Sequence, residues 1–317
     1  MMFKLAIIIP FFNAKKYIPN NFKICLELTK KFNIQIIYID NNSNDGSFNI
    51  LKRKIGKNEN ISLKKTRAKN KHSPGTARNL GIKFAEANNL LFLDIDDQLV
   101  VKNFKKLFFY MSKKNYSFLH LNRNNITYKK NKKQTFSPYL NYDKNSLKKF
   151  FIESNNMECI GIIYNKKFLL KNKLFFQSGI YEDIFFTFKT HFFNTRKVNF
   201  FPNTIYLKMI NKGSITNSRV TKLHLDAMFN AWKSIDLFLR KKLSILKYKR
   251  LFNYLQYRWR GELALEHNKI LNSNHNLRVK KLLIRYVVLK YKRFILFDFK
   301  IKTAKDKIVH KLLRKPF

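Results

Sequence analysis

Asp94, Asp96 and Asp97 place three carboxylates within four residues, directly after the apolar run Leu90 to Leu93. Like charges this close repel one another, and burying them unpaired is costly. The chain holds 19 acidic residues against 65 basic ones, so three acids together at a strand end imply a compensating cation. A hard divalent ion gripping a diphosphate through oxygen ligands would supply it. The competing reading is a solvated turn that caps the next helix, since aspartate favours caps and turns. Two more polar segments end apolar runs in the same manner. Pro10-Phe11-Phe12-Asn13 follows Phe3 to Ile9, and Asp40 to Gly46 follows Ile34 to Ile39.

The elements that must position these groups are legible from periodicity. Phe3 to Ile9 is unbroken and β-branched, a buried strand that Pro10 stops. Pro19 opens a helix with Ile18, Phe22, Cys25 and Leu26 at helical spacing. Ile34 to Ile39 is a second strand, Ser47 to Lys54 a helix, and Ile61 to Lys65 a third strand. A helix from Thr76 aligns Ala77, Leu80, Phe84 and Ala87, and Leu90 to Leu93 is the next strand. Strands alternating with helices indicate an α/β fold, with a mostly parallel central sheet flanked by helices. Ligands of such sheets sit beyond the carboxyl ends of the strands. The three polar segments therefore converge on one edge.

Beyond residue 100 the pattern loosens. Tyr116 to Leu121 and Ile160 to Tyr164 are short apolar runs, and Asn122 to Tyr142 is a polar, basic hairpin or loop. A helix follows Gly179, and Asn211 to Ser214 is a loop. From Thr221 onward the chain contains one glycine, Gly261, and one proline, Pro316. Leu225, Met228, Trp232, Ile235 and Leu239 form one helical stripe, with Tyr248, Leu251, Leu255 and Trp259 forming another. The expected organisation is a domain over 1–220 and a basic, helical region over 221–317.

The formal net charge of +46 admits three origins: nucleic acid, an anionic membrane surface, or drift toward Lys, Asn, Ile and Phe. Basic residues are spread along the whole chain, which speaks against a nucleic-acid arm. Residues 221–317 hold 25 Lys and Arg against 6 Asp and Glu. There, Lys280, Lys281, Arg285, Lys290, Lys292 and Arg293 interleave with Leu282, Leu283, Tyr286 and Phe294, the pattern of an interfacial helix. A helix packed on the first domain with a solvated basic face fits equally well. No run of eighteen apolar residues exists, so no spanning helix is expected. The first residues also lack a cleavage signal. The expected location is cytoplasmic, peripheral to the inner face of the cell membrane. Cys25 and Cys159 lie too far apart in sequence to make a metal spacing.

Six segments taken together resemble the family 2 glycosyltransferases of GT-A fold. They are Ala6 to Asn13, Ile39 to Ser47, Gly75 to Gly81, Phe92 to Asp97, Tyr181 to Phe186, and Pro202 to Ser218. The resemblance covers residues 3 to 218. It implies a nucleotide-diphosphate sugar donor, a divalent metal, and inversion at the anomeric carbon. Asp96 and Asp97 then correspond to metal ligands, and Asp94 to a ribose contact. Asp183 corresponds to the catalytic base, a role compatible with Glu182 and Asp183 meeting a helix dipole. Asp40 and Asn41 lie where the family reads base and ribose. Pro10, Phe12 and Asn13 line the donor, and Arg78 and Asn79 face its phosphates and sugar. Lys208 and Lys212 fall in a loop that closes over the donor.

Many members carry a second aspartate where this chain has Asn41, so UDP is preferred while dTDP and CDP stay open. The implied acceptor is a hydroxyl of a bacterial surface glycan: lipopolysaccharide or lipooligosaccharide, capsule, or a lipid-linked oligosaccharide. Two rivals remain. A non-enzymatic basic module binding anionic lipid or nucleic acid would not gather acids at three strand ends. A nucleotidyltransferase would need a Gly-rich or basic phosphate loop where Pro10 to Asn13 stands.

Overall fold

The computed structural model describes residues 3–67, 73–127, 133–134, 157–196, 198–210, 220–295 and 303–314. Contacts divide the chain into two compact units. One comprises residues 1–146 and 155–212, the other 147–154 and 213–317.

In the first unit, β1 (Leu5–Phe11) is buried along its whole length and lies between β2 (Ile34–Asp40) and β4 (Asn89–Phe92), parallel to both. β3 (Ile61–Lys65) continues the parallel sheet outside β2. The crossovers are α1 (Ile18–Lys31), α2 (Ser47–Ile55) and α3 (Pro74–Phe84). The full order is β3-β2-β1-β4-β8-β6-β9-β5. β8 (Ile162–Asn165) runs antiparallel to β4 and to β6 (Phe118–Thr127), while β6 and β9 (Asn199–Ile210) are parallel. The two-residue β5 (Gln98–Leu99) pairs antiparallel with β9, and β7 (Lys133–Gln134) with β6. α4 (Phe104–Ser112), α5 (Lys166–Lys171) and α6 (Glu182–Phe193) complete the unit.

One sequence expectation needs correction. Pro10 does not stop β1, which runs on to Phe11. β4 pairs only with Ala6 to Ile8, and the Ile8 carbonyl, which accepts from Leu93 N, faces β4. Pro10 shares that parity, so its missing N–H falls beyond the end of β4 and breaks no ladder bond. For the stretch from Asn122 the hairpin alternative fits, since β6 and β7 pair antiparallel there. β6 continues through Thr127 along β9, with register shifts at Asn122. There the Asn122 amide donates to the Pro202 carbonyl at 2.7 Å, opposite an exposed proline in β9. The rest of that stretch, apart from β7, lies outside the described residues.

Phenylalanine content is put to use behind the carboxyl edge. Phe92, Tyr164, Phe176 and Phe186 pack together, with Phe176 and Phe186 stacked at 3.8 Å and Phe92 edge-on to Phe176 at 5.2 Å. This wall supports both the acidic turn after β4 and the start of α6.

The second unit is helical: α7 (Lys222–Lys242), α8 (Ile245–Leu271), α9 (Leu277–Lys292) and α10 (Ala304–Arg314). Its core gathers Phe229, Trp232, Trp259 and Tyr291, with Trp259 stacked on Phe294 at 5.1 Å. The stripe from Leu225 to Leu239 is buried throughout, and the one from Tyr248 to Trp259 runs from half-buried Tyr248 and Leu251 to buried Leu255 and Trp259. Among the described residues, no helix is long and apolar enough to cross a membrane.

Candidate active site

Two glycines fix where α3 sits. A Cβ on Gly81 would lie 2.2 Å from Ile8, so the helix rests directly on β1. A Cβ on Gly75 would lie 2.5 Å from the Gln177 carbonyl and 2.7 Å from Glu182. Only glycine permits that approach, and it brings Arg78 to α6. Arg78 is 5% exposed. It donates through Nη1 to Glu182 Oε1 at 2.5 Å and through Nη2 to Asp94 Oδ1 at 2.9 Å. Its Nε has no hydrogen-bond partner, and its guanidinium lies 5.5 Å from the Phe176 ring centre. One cation thus joins the acidic turn to the helix that presents Asp183.

Asn79, expected near the donor, is engaged elsewhere. Its amide donates to the Phe176 carbonyl and accepts from Phe176 N, both at 2.9 Å. It clasps the segment leading to α6. That segment ends at Tyr181, held at φ 59°, a conformation a bulky side chain adopts only under local constraint.

The acidic turn divides its labour. Asp97 is 3% exposed. Its Oδ2 accepts from the Tyr206 hydroxyl at 2.6 Å and its Oδ1 from Met209 N at 2.7 Å. Tyr206 also accepts from Asp94 N at 3.2 Å. Both Asp97 oxygens therefore hold β9 against the turn, while Asp94 and Asp96 are its more open carboxylates.

At the neighbouring strand ends, Asp40 is fully buried, accepts from Ser43 N at 2.9 Å and leaves Oδ2 without a hydrogen-bond partner, with Lys65 Nζ 4.0 Å away. Asn41 accepts from the Thr66 hydroxyl at 3.1 Å and donates to the Ser73 carbonyl at 3.3 Å. Its amide braces two loops rather than pointing free at a base. The segment after Pro10 and Phe12 is tied to the loop after β2. Asn13 N donates to Ser43 Oγ at 3.0 Å, Asn13 Oδ1 accepts from Asn44 N at 2.9 Å, and Ala14 N donates to Ser47 Oγ at 2.9 Å.

Crowding sets the electrostatics. Burial, then the neighbouring Glu182, pushes the Asp183 carboxyl up to about 8, against the pull of Arg78. Burial also raises Glu182, and burial with Asp94 holds Asp97 well above the usual carboxylate range. Glu158 behaves oppositely. Against the cost of its burial, Arg123 of β6 and Lys208 of β9 hold it down at about 2, each in direct contact with it. Lys208 thus lies in a strand and not in a closing loop, and Lys212 lies outside the described residues. A carboxyl near 8 at a helix start is suited to accept a proton from a hydroxyl.

The fold therefore brings together Asp94, Asp96, Asp97, Arg78 and Asp183. It also brings in Glu182 and Tyr206, whose contacts the sequence did not assign. Tyr206 lay inside a recognised segment. Glu158 had no sequence signal. Among the described residues, no three His, Cys, Asp or Glu side chains are grouped to hold an ion by themselves.

Residues 6–173 match the family description Glycosyl transferase family 2. An uncharacterized glycosyltransferase of Haemophilus influenzae is 31% identical over 129 residues, 38% of this chain and 50% of that protein. A poly(ribitol-phosphate) beta-glucosyltransferase of Bacillus spizizenii is 34% identical over 97 residues, 30% of this chain and 15% of that protein. The chain thus spans half or less of the curated relatives it matches. In fold it is similar to S. aureus TarS 1-349 in complex with UDP-GlcNAc, with a TM-score of 0.71 and 16% identity, covering 93% of this chain and 82% of that one. Against S. aureus TarS itself the TM-score is 0.65 at 15% identity, covering 98% of this chain and 52% of that one.

Proposed function

The chain belongs to glycosyl transferase family 2, and from that premise we propose that it moves a hexose or N-acetylhexosamine from a nucleotide-diphosphate sugar to a glycan hydroxyl, with inversion. The observation that supports this most is the Asp94–Arg78–Glu182 chain of contacts, which fixes Asp183 relative to the acidic turn. UDP is the preferred nucleotide, as in the UDP-GlcNAc complex of the similar TarS fold. A bacterial surface glycan is the preferred acceptor, and the poly(ribitol-phosphate) beta-glucosyltransferase relative points the same way.

In this reading Asp183 accepts the acceptor hydroxyl's proton as its oxygen bonds to the anomeric carbon. The bond from that carbon to the diphosphate oxygen breaks on the opposite face, so the configuration inverts. Arg78 keeps Glu182 and Asp94 in place while charge shifts toward the leaving diphosphate. A bound divalent ion would neutralise that charge. Mg and Mn take one or two carboxylates plus phosphate oxygens, and Asp94 and Asp96 present hard oxygens that fit this donor set. Asp96 would hold the ion beside Asp94. Asp97, expected as the second ligand, serves here as the anchor of β9.

The exposed side of α9 supports the membrane reading. Arg278, Lys281, Leu282, Arg285, Leu289 and Lys292 are all exposed, and the helix contains no acid. We take residues 221–317 as the part that meets an anionic lipid surface.

The test is a thermal-shift screen of nucleotide sugars with and without Mn. A metal-dependent rise for one UDP-sugar, lost in Asp96→Ala, is expected. No stabilisation by any nucleotide sugar would remove the reading.

A further inference from the structure

In the helical unit a cavity of about 110 Å³ opens between α8 and the start of α10. Tyr257, Gly261 and Leu265 follow one another at four-residue spacing along α8, so they share a face. Tyr257 and Leu265 are 38% and 43% exposed. The glycine between them forms a notch, where an added Cβ would meet nothing within 4 Å. A glycine inside a long helix costs about 1 kcal/mol relative to alanine. No close packing demands it here.

The floor of the notch is polar. Glu262, 1% exposed, keeps Oε1 on Arg258 at 2.5 Å, while its Oε2 has no hydrogen-bond partner. A buried acceptor without a donor is costly and marks a place where one is missing. Lys305 and Asp306 line the opposite wall. Asp306 is already engaged by Arg260 Nε at 3.0 Å and by Thr303.

These observations select the occupant. Two cationic and two anionic side chains line the cavity, so neither a free cation nor a free anion meets a matching field. An apolar molecule would leave Glu262 Oε2 unsatisfied. A neutral polyol satisfies it, because adjacent hydroxyls can donate to the carboxyl and accept from the guanidinium beside it. Burial raises the Glu262 carboxyl against the pull of Arg258, and a hydroxyl can pair with either protonation state. Tyr257 and Leu265 offer apolar flanks to the C–H edges of a ring.

We propose that this notch is a carbohydrate subsite, separate from the acidic turn, which takes one sugar residue of a glycan. It stands on the helical unit alone and goes beyond the transfer reaction.

Saturation-transfer NMR on the full chain tests it, with methyl β-D-glucopyranoside and methyl N-acetyl-β-D-glucosaminide as probes, each with and without saturating UDP. At least one probe should receive saturation irrespective of UDP. Gly261→Leu should fill the notch and weaken that binding about tenfold or more, with a melting temperature equal to or above that of the parent. Glu262→Gln should weaken it in the same direction while preserving shape. No transfer to either probe would mean a cavity filled by water only and would overturn the proposal. So would a signal that UDP abolishes, or one that both variants retain. UDP binding, read in the same samples, keeps this outcome distinct from failure of the transferase reading.

Discussion

Charged groups are buried in both units, but they are arranged differently. Among the described residues of the helical unit each buried acid has a cation close by, on its own helix or on another, as in Arg258–Glu262, Lys269–Glu266 and Arg260–Asp306. At the carboxyl edge of the sheet, Asp94, Glu182 and Asp183 crowd around the single Arg78. Local pairing makes a framework, in which burial still raises Glu262 against the pull of Arg258. Shared pairing leaves carboxyls raised and ready to exchange protons. The difference separates a scaffold from a reaction centre.

Within this comparison the largest effect should come from removing each kind of pair whole. Buried ion pairs replaced by apolar residues are commonly neutral to about 4 kcal/mol stabilising. Lys269→Met with Glu266→Leu should therefore keep or raise the melting temperature and leave transfer intact. Arg78→Met with Glu182→Leu should also fold, yet lose transfer by about 10²-fold or more. Equal activity in the two double variants would erase the distinction.

A smaller effect concerns pH. The Asp183 carboxyl is raised to about 8 by burial and by Glu182. It is protonated below that point and cannot then act as a base. The value of kcat/KM should thus rise about tenfold per pH unit up to roughly 8 and then level. Glu182→Gln removes a neighbouring negative charge and should move the break to lower pH. A flat profile from pH 6 to 9 would contradict the raised base.

The smallest effect tests the helical unit's surface. Leu282→Gln with Leu289→Gln should reduce sedimentation with phosphatidylglycerol vesicles several-fold, since binding of an interfacial helix scales with the apolar area it buries as well as with its basic charge. Unchanged sedimentation would leave α9 as a solvated face only.

Much of this arrangement was readable in the chain. Apolar runs ending in Pro10, Asp40 and Asp94 gave the sheet edge, because strand period and strand-end polarity are local properties. The pairing of Arg78 with Glu182 joins residues 104 apart, and that of Tyr206 with Asp97 joins residues 109 apart. No local pattern encodes such contacts. Asn79 and Asn41 show the same limit. Their segments were recognised, but an amide can brace a loop or face a ligand, and only the packing of Phe176, Thr66 and Ser73 decides. Pro10 misled because its missing N–H matters only where a neighbouring strand is present to accept it.

The central claim is that Asp183 removes the acceptor's proton from a donor site that it does not itself build. The most direct measurement is single-turnover transfer by Asp183→Asn, with UDP-sugar affinity recorded on the same protein. Transfer should fall by about 10³-fold or more while affinity stays within about threefold. Turnover like that of the parent, at unchanged affinity, would contradict it.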